Sequence, residues 1–512
     1  MEALQHKDGL RMKRYDDIVV GSGISGMTLA LLLCMNGHSV LLLEKNRNIG
    51  GSMARFYRQG IPFDTGFHFT GGFYKSGILS DMLAVLGIDD QIQPVFITKE
   101  DGNRIIFEED NSVYDFPFGY TETIAKMKEY FPGEKNAVEQ YFNMVLNVCK
   151  KTVALDLRNI SLSQDWIDED YISLDDVLNK LTGNEKLKGL LSKYSMCYGA
   201  KPSEISFANH SRVSFGLYES VARVKDGGDA FIRAFKKRFA GFDIDIRTNS
   251  CITECADVKN NIVGRFVLNT GEEIISDRCI FTIHPKAILD VLPKNHLTKA
   301  FISRVNAFEP TAGFFSLFGV VENSMPPDKD SEPTILSLFS STDINRMMDP
   351  AYTGDPALVI LKSQDAVNGK KHMVLTALEL SFPEHIRGWV DSEPGSRPEG
   401  YQKYKNDRIE KIMKRIIKAY PEYKDSFTMI DAASILTFRD YLHSPDGSAY
   451  GIKQKVGQFN LFGKLPLRNI YAAGQSSVLP GIVGAMLSSF IIGRAVVGRD
   501  PYADFIKERL NS

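Results

Sequence analysis

The stretch Asp17–Phe56, DIVVGSGISGMTLALLLCMNGHSVLLLEKNRNIGGSMARF, carries no Asp, Glu, Lys or Arg between Ile18 and Leu43. A membrane span and a buried strand–helix–strand both have that property. A span needs about 20 mainly apolar residues in one uninterrupted helix. This run is broken at Gly21, Gly23 and Gly26, and again at Met35-Asn36-Gly37-His38-Ser39. The order of its parts fits the second reading. A β-rich YDDIVV ends at Gly21, a helix-forming MTLALLLCMNG closes at Gly37, and a second apolar strand, HSVLLLEK, reaches Glu44.

Gly21-x-Gly23-x-x-Gly26 between a strand and a helix is the pattern of a dinucleotide turn. Gly21 permits the tight turn, Gly23 lets the backbone approach a pyrophosphate, and Gly26 lets helix and strand pack closely. The helix start offers unpaired N–H groups and partial positive charge to phosphates. Glu44, 18 residues after Gly26, can accept bonds from ribose hydroxyls. A Gly-rich turn that binds nothing is the alternative, and it leaves the complete strand–turn–helix–strand–acid order unexplained.

At 512 residues, 43% hydrophobic and 24% charged, the chain has material for more than one core and two or three domains. A net charge of −2 gives no basic face for nucleic acid. Six scattered cysteines without a CxxC pair do not make a disulfide framework and favour a reducing, cytoplasmic setting. Cys251 and Cys255, in SCITEC, read as strand residues rather than metal ligands, and no metal-ligand spacing occurs elsewhere. The N-terminal residues are polar, without the apolar core of a signal peptide. A second uncharged run, Asn469 to Gly493, is interrupted by GQSS and Pro480-Gly481 and reads as buried strand, loop and helix.

Between these ends, residues 81–214 show mainly helical periodicity. From Gly227-Gly228 a helix is followed by short strands with polar turns at DVKNN and NTGEE. Residues 300–440 are mixed, with strand-like TAGFFSLFGVV and KHMVLTALEL, an exposed loop at 391–400, and the helix RIEKIMKRIIKAYPEY. The expected fold class is α/β: a Rossmann-like domain from 14–80, 222–295 and 440–512, interleaved with an α+β substrate domain from 81–221 and 296–439.

Gly50-Gly51, six residues after the acid, is unexpected for a plain NAD site and suits a longer dinucleotide. GxGxxG, acid, then GG resembles the FAD signature of flavoproteins with glutathione-reductase-like folds. With FDTGFHFTGG at one end, and GSAYGIKQ and NIYAAGQSSVLPGIVGAMLSSFIIGR at the other, the chain resembles the phytoene-desaturase-like flavoproteins, most of all their retinol saturase and carotenoid isomerase branch. GGSMARF after the acid and YESVARVKDGG before the second segment depart from the branch pattern, and bear on substrate and reaction direction.

The resemblance implies FAD as cofactor. Ser22, Gly23, Ser25 and Gly26 would meet the pyrophosphate and Glu44 the adenosine ribose, with Lys45, Gly51 and Ser52 along the same path. Ile252 would contact adenine through its backbone, Gly474 and Gln475 would lie by the ribityl and phosphate groups, and Gly481, Ile482 and Val483 would bring a helix start to the flavin ring. Simple helix packing is the alternative for Gly481 and Gly484. The implied reaction is hydride transfer at C=C or C–C bonds of a hydrophobic polyene or isoprenoid, as saturase, desaturase or isomerase, in a tunnel lined by Phe, Met and Leu. A separate electron donor or acceptor and peripheral contact with a membrane surface go with such a substrate. His68 is the candidate acid or orienter, with a hydrogen-bonded role in the Asp64-Thr65-Gly66 turn as its structural alternative. Tyr198, His210 and Tyr218 are weaker candidates. An amine-oxidase-like enzyme and a GDP-dissociation-inhibitor-like prenyl carrier share the scaffold.

Overall fold

The computed structural model describes residues 13–98, 102–159, 166–322, 334–367 and 370–511. Strand β1 (Lys13–Val20) lies inside an eight-stranded sheet, parallel to β2 (Val40–Leu43) on one side and to Glu273–Phe281 on the other. Ile18–Val20 and all of β2 are buried. A parallel sheet covered on both faces reads as continuous apolar strands, which accounts for half of the charge-free run. Helix α1 (Ile24–Met35) accounts for the rest. Every residue from Ile24 to Cys34 is buried, against the helix Gly481–Val497 among others. That second helix is the other uncharged run; among the described residues no helix is long and apolar enough to cross a membrane.

The same sheet takes in Ile244–Arg247, Ile252–Ala256, Arg265–Leu268, Gly463–Lys464 and Ile470–Ala472. Ile470–Ala472 runs parallel to Cys279–Phe281 and delivers the AAGQSS turn beside the Gly-rich turn. A second, seven-stranded sheet runs in the order Phe427–Ala433, Gly313–Val321, Lys370–Ser381, Leu358–Val367, Thr334–Phe339, Asn103–Phe107, Ser112–Phe116. Helices from 120–219 cover one face and Glu399–Ala419 the other. The loop expected at 391–400 is shorter than read, because Pro398 caps that helix and Glu399 already belongs to it. The six cysteines are unpaired.

Tyr198, His210 and Tyr218 sit in the core under the helices. His210 Nε2 lies 2.6 Å from the Tyr141 hydroxyl and Nδ1 lies 2.9 Å from that of Tyr198. Tyr198 continues to Ser195 at 2.9 Å and Tyr141 to Tyr218 at 3.2 Å. Burial drives the His210 imidazole down to about 3 from its ordinary 6.5. The unfolded chain takes up this proton as pH falls through 6.5, whereas the native protein resists until about 3. The stability from His210 is therefore complete above pH 6.5 and is lost on acidification. The expected slope is about 1.4 kcal/mol per pH unit for this one group. Urea unfolding between pH 8 and 5 measures it, and His210→Gln is expected to flatten the slope. An equally steep decline in that variant rejects the assignment.

Candidate dinucleotide and substrate site

Glu44 directly follows β2 and is only 6% exposed. Its Oε2 accepts from the Ser22 N–H at 3.1 Å and hydroxyl at 2.5 Å, and Oε1 accepts from the Asn46 N–H at 2.8 Å. The acid is thus fixed beside the turn, with Ser22 drawn against it.

The three glycines of the turn differ in what surrounds them. A methyl at Gly26 would overlap the Gly21 carbonyl oxygen, so this residue serves close packing. A methyl at Gly23 would meet nothing within 4 Å: the space in front of the helix start is open. Gly51 lies over the same turn. Its φ is +54°, and a methyl there would stand 3.1 Å from the Gly23 Cα, while the Gly50 N–H donates to the Ser22 carbonyl at 3.0 Å. The second glycine pair is therefore packed onto the first loop. Ser52 continues the path, with the Gly66 N–H donating to its carbonyl at 3.1 Å.

Other residues group around this turn by different means. The Ser25 hydroxyl lies 2.8 Å from that of Ser489, which also donates to the Ser25 carbonyl. Its side chain is thus committed to helix packing, and only its backbone remains for a ligand. The Gly474 N–H donates to Ser488 Oγ at 2.8 Å, and the Gln475 carbonyl accepts from Gln454 Nε2 at 3.2 Å. Ile252 is buried opposite Leu268, two residues beyond Ser250, whose N–H donates to the Glu44 carbonyl. Lys45 is exposed at the edge.

Gly66 opens onto a cavity of about 650 Å³. One wall is Gly66–Gly72, with His68, and another is Leu479–Gly484. Gly481 has a φ of +78° and open space about it, whereas a methyl at Gly484 would overlap the Leu479 carbonyl. Packing thus explains Gly484 and leaves Gly481 facing the cavity beside Ile482 and Val483. Leu146, Met196, Phe215, Leu217, Phe314 and Leu378 make the lining apolar. The exposed Lys150 and Asn159 mark an opening to solvent. Arg212 is held by both Asp170 oxygens, at 2.5 and 3.2 Å, and by Thr152 Oγ1 at 3.0 Å.

His68 has no hydrogen-bond partner among the described residues. The turn before it is held instead by Gly66 on Ser52 and by Arg223 Nη2 on Asp64 Oδ2 at 2.7 Å. Burial lowers the His68 imidazole below its ordinary value, against the opposing pull of Asp64. It stands neutral at neutral pH, which suits positioning rather than delivery of a charged acid's proton. Burial pushes the Cys149 and Cys197 thiols up to about 12, so neither is a thiolate in the cavity. Tyr450, inside the GSAYG block, also lines the cavity and was not singled out by the sequence reading.

The open Gly-rich turn, the acid after β2 and the apolar cavity define a Rossmann-type, dinucleotide-dependent oxidoreductase fold. A model of the NAD(P)-binding Rossmann-like domain matches residues 19–86. An all-trans-retinol 13,14-reductase of Danio rerio is 25% identical, covering 95% of this chain and 86% of its own. A prolycopene isomerase of an Oncidium hybrid cultivar is 31% identical over 29% of this chain and 25% of its own. Another Danio rerio relative, 21% identical over 99% of this chain and 91% of its own, is named an inactive retinol reductase. Putrescine oxidase shares the fold, with a TM-score of 0.63 at 12% identity over 94% of this chain and 98% of its own. The chain is thus similar over almost its whole length to retinol 13,14-reductases, and over part of it to prolycopene isomerases.

Proposed function

We infer that this protein is an FAD-dependent oxidoreductase acting on C=C or C–C bonds of a hydrophobic, retinoid- or carotenoid-type polyene. The observation that carries the reading is continuity. The open space at Gly23, the Gly51 contact, Ser52 and Gly66 lead in unbroken contact to an apolar cavity walled by Gly481–Val483. The space at Gly23 is one that a single methyl would enter, which fits a pyrophosphate lying there. On this reading 14–80, 222–295 and 440–512 hold the cofactor, and 81–221 with 296–439 hold the substrate.

Backbone groups of Ser22, Gly23, Ser25 and Gly26 hold the pyrophosphate, and Glu44 the ribose, with Lys45, Gly51 and Ser52 flanking. Ile252 meets the adenine. Gly474 and Gln475 line the ribityl path, and Gly481, Ile482 and Val483 face the ring. FAD bound there supplies two-electron hydride chemistry at N5. The chain's own part is to exclude water with the apolar lining and to orient the polyene, with His68 as a neutral wall group. The relatives named as reductases favour saturation over desaturation. An amine oxidase reading has the shared fold alone behind it.

Anaerobic incubation of FAD-reconstituted, dithionite-reduced protein with a panel of retinoids and carotenoids is expected to add two hydrogens to one of them. Unchanged mass with altered retention makes it an isomerase, and loss of hydrogen to the oxidised protein makes it a desaturase. Protein that takes up no FAD rejects the reading and leaves the prenyl-carrier alternative. A lipid-soluble substrate also places the protein at a membrane surface, with a separate electron donor or acceptor. Flotation with liposomes is expected, and a protein left wholly in solution refutes that part.

A further inference from the structure

Saturating one C=C bond takes a hydride equivalent and a proton. The functional reading above supplies the first and leaves the source of the second open. We propose that Tyr450 is the catalytic proton donor of the cavity, an inference that rests on that reading.

Its ring lines the cavity, and its hydroxyl makes no hydrogen bond among the described residues and is not sealed inside protein. The ring is held from several sides. It stands edge-on to Phe314, with centroids 6.3 Å apart and planes at 87°. A methyl on Gly199 would lie 3.3 Å from the ring Cδ2. The Tyr450 N–H donates to Thr311 Oγ1 at 3.1 Å. The next residue ties it to the inner wall: a methyl on Gly451 would overlap the Ser476 hydroxyl, and Ser476 belongs to the AAGQSSVLPGIVGA block. Tyr450 is thus fixed in the wall of the cavity that Leu479–Gly484 also lines.

Other polar groups of the cavity serve less well. Arg212 is engaged by Asp170 and Thr152. Tyr74 sits in a loop beside the exposed Lys75 and Ser76. Neutral His68 carries no extra proton at neutral pH. Burial raises the Tyr450 phenol above its ordinary value, so it stays protonated until needed. A carbon of a polyene that has received hydride at its neighbour is far more basic than a phenolate, so a neutral phenol is acid enough to protonate it.

In the step, the hydride and its electron pair form one new C–H bond at the expense of two-electron-reduced flavin. The Tyr450 O–H bond breaks and its proton forms the second C–H bond. The electron pair left on the phenolate takes a proton from water, and an external two-electron donor, dithionite in the assay, restores the flavin.

Tyr450→Phe keeps the ring and removes the hydroxyl. It is expected to lower polyene reduction by about 100-fold or more. FAD content, and retinoid binding to the cofactor-free protein followed by fluorescence quenching, are expected to stay within two-fold. Tyr171→Phe, at an exposed tyrosine outside the cavity, is expected to match the parent. A second probe, 3-fluorotyrosine at position 450, packs like tyrosine with a more acidic hydroxyl and is expected to change the rate without changing retinoid binding. Reduction by Tyr450→Phe at the parental rate, a fluorotyrosine protein of unaltered rate, or loss of retinoid binding in Tyr450→Phe each overturns the proposal. If the parent protein reduces no polyene, the functional reading falls first, and that outcome is seen before any variant is compared.

Discussion

Gly23→Ala is expected to weaken FAD uptake by about 100-fold in a protein that remains folded, whereas Gly26→Ala is expected to damage the fold itself. Both substitutions add the same methyl to the same turn. At position 23 the methyl meets nothing within 4 Å, and the backbone, at φ −63° and ψ 179°, is one that alanine adopts freely. Alanine caps a helix less well than glycine by about 1 kcal/mol, and the stiffer unfolded chain offsets about 0.4–1 kcal/mol, so the stability change is expected within about 1 kcal/mol. The methyl nevertheless occupies the space where a pyrophosphate would touch the backbone. FAD affinity is then expected to fall by about 100-fold, or about 2.8 kcal/mol. At position 26 the methyl overlaps the Gly21 carbonyl oxygen. No side-chain rotation relieves a clash with backbone, and moving the turn drags α1 off the sheet. A loss of about 3 kcal/mol or more is expected. Urea unfolding of the cofactor-free proteins, with FAD titration by flavin fluorescence, separates the two effects. A Gly23→Ala protein that binds FAD normally sinks the assignment of the pyrophosphate to this turn.

That contrast shows what a sequence can and cannot say here. The strand–turn–helix–strand order from Asp17 to Glu44 was legible because each part has its own local signature: β-rich residues, positive-φ glycines and an apolar helix. The packing of Gly51 on Gly23 was foreshadowed only by the unexpected second glycine pair. Local patterns fade where a site is assembled from distant segments. Tyr450 looks like any tyrosine after a small-residue turn, and contacts with Phe314, Thr311 and, through Gly451, Ser476 hold it at the cavity. Ser25 shows another limit of local pattern. Its position in the motif pointed to phosphate, yet its hydroxyl is spent on Ser489, 464 residues away, a contact that no window of sequence contains. Tyr198, His210 and Tyr218 were weaker candidates for chemistry, and the fold ties them into a hydrogen-bonded core chain with Tyr141.

Arg223→Met is expected to be the most destabilising single change at the junction of the two sheets. Arg223 Nη2 donates to Asp64 Oδ2 at 2.7 Å and to Asp365 Oδ2 at 3.1 Å, and Arg55 Nη1 donates to Asp365 Oδ1 at 2.8 Å. The four side chains are only 5–11% exposed. Asp64 and Arg55 belong to a hairpin near the dinucleotide turn, and Asp365 to a strand of the second sheet. The cluster therefore fastens one part of the molecule to the other through buried charge. Removing Arg223 leaves Asp64 without its cationic partner in a site that water cannot reach, and one Oδ of Asp64 is already unpartnered. The cost of an uncompensated buried carboxylate is about 3–5 kcal/mol. Adding Asp64→Asn to Arg223→Met removes the stranded charge and is expected to recover part of the loss, because the penalty lies in the unpaired ion more than in the lost bond. His68 follows Asp64 by four residues and lines the cavity, so the single variant is also expected to weaken polyene binding. FAD binding at Gly23, on the far side of Ser52, is expected to change less. Denaturant unfolding of Arg223→Met and of the double variant measures both terms. A loss below about 1 kcal/mol in the single variant, or no recovery in the double, means that the junction is held by its apolar contacts and the charges are bystanders.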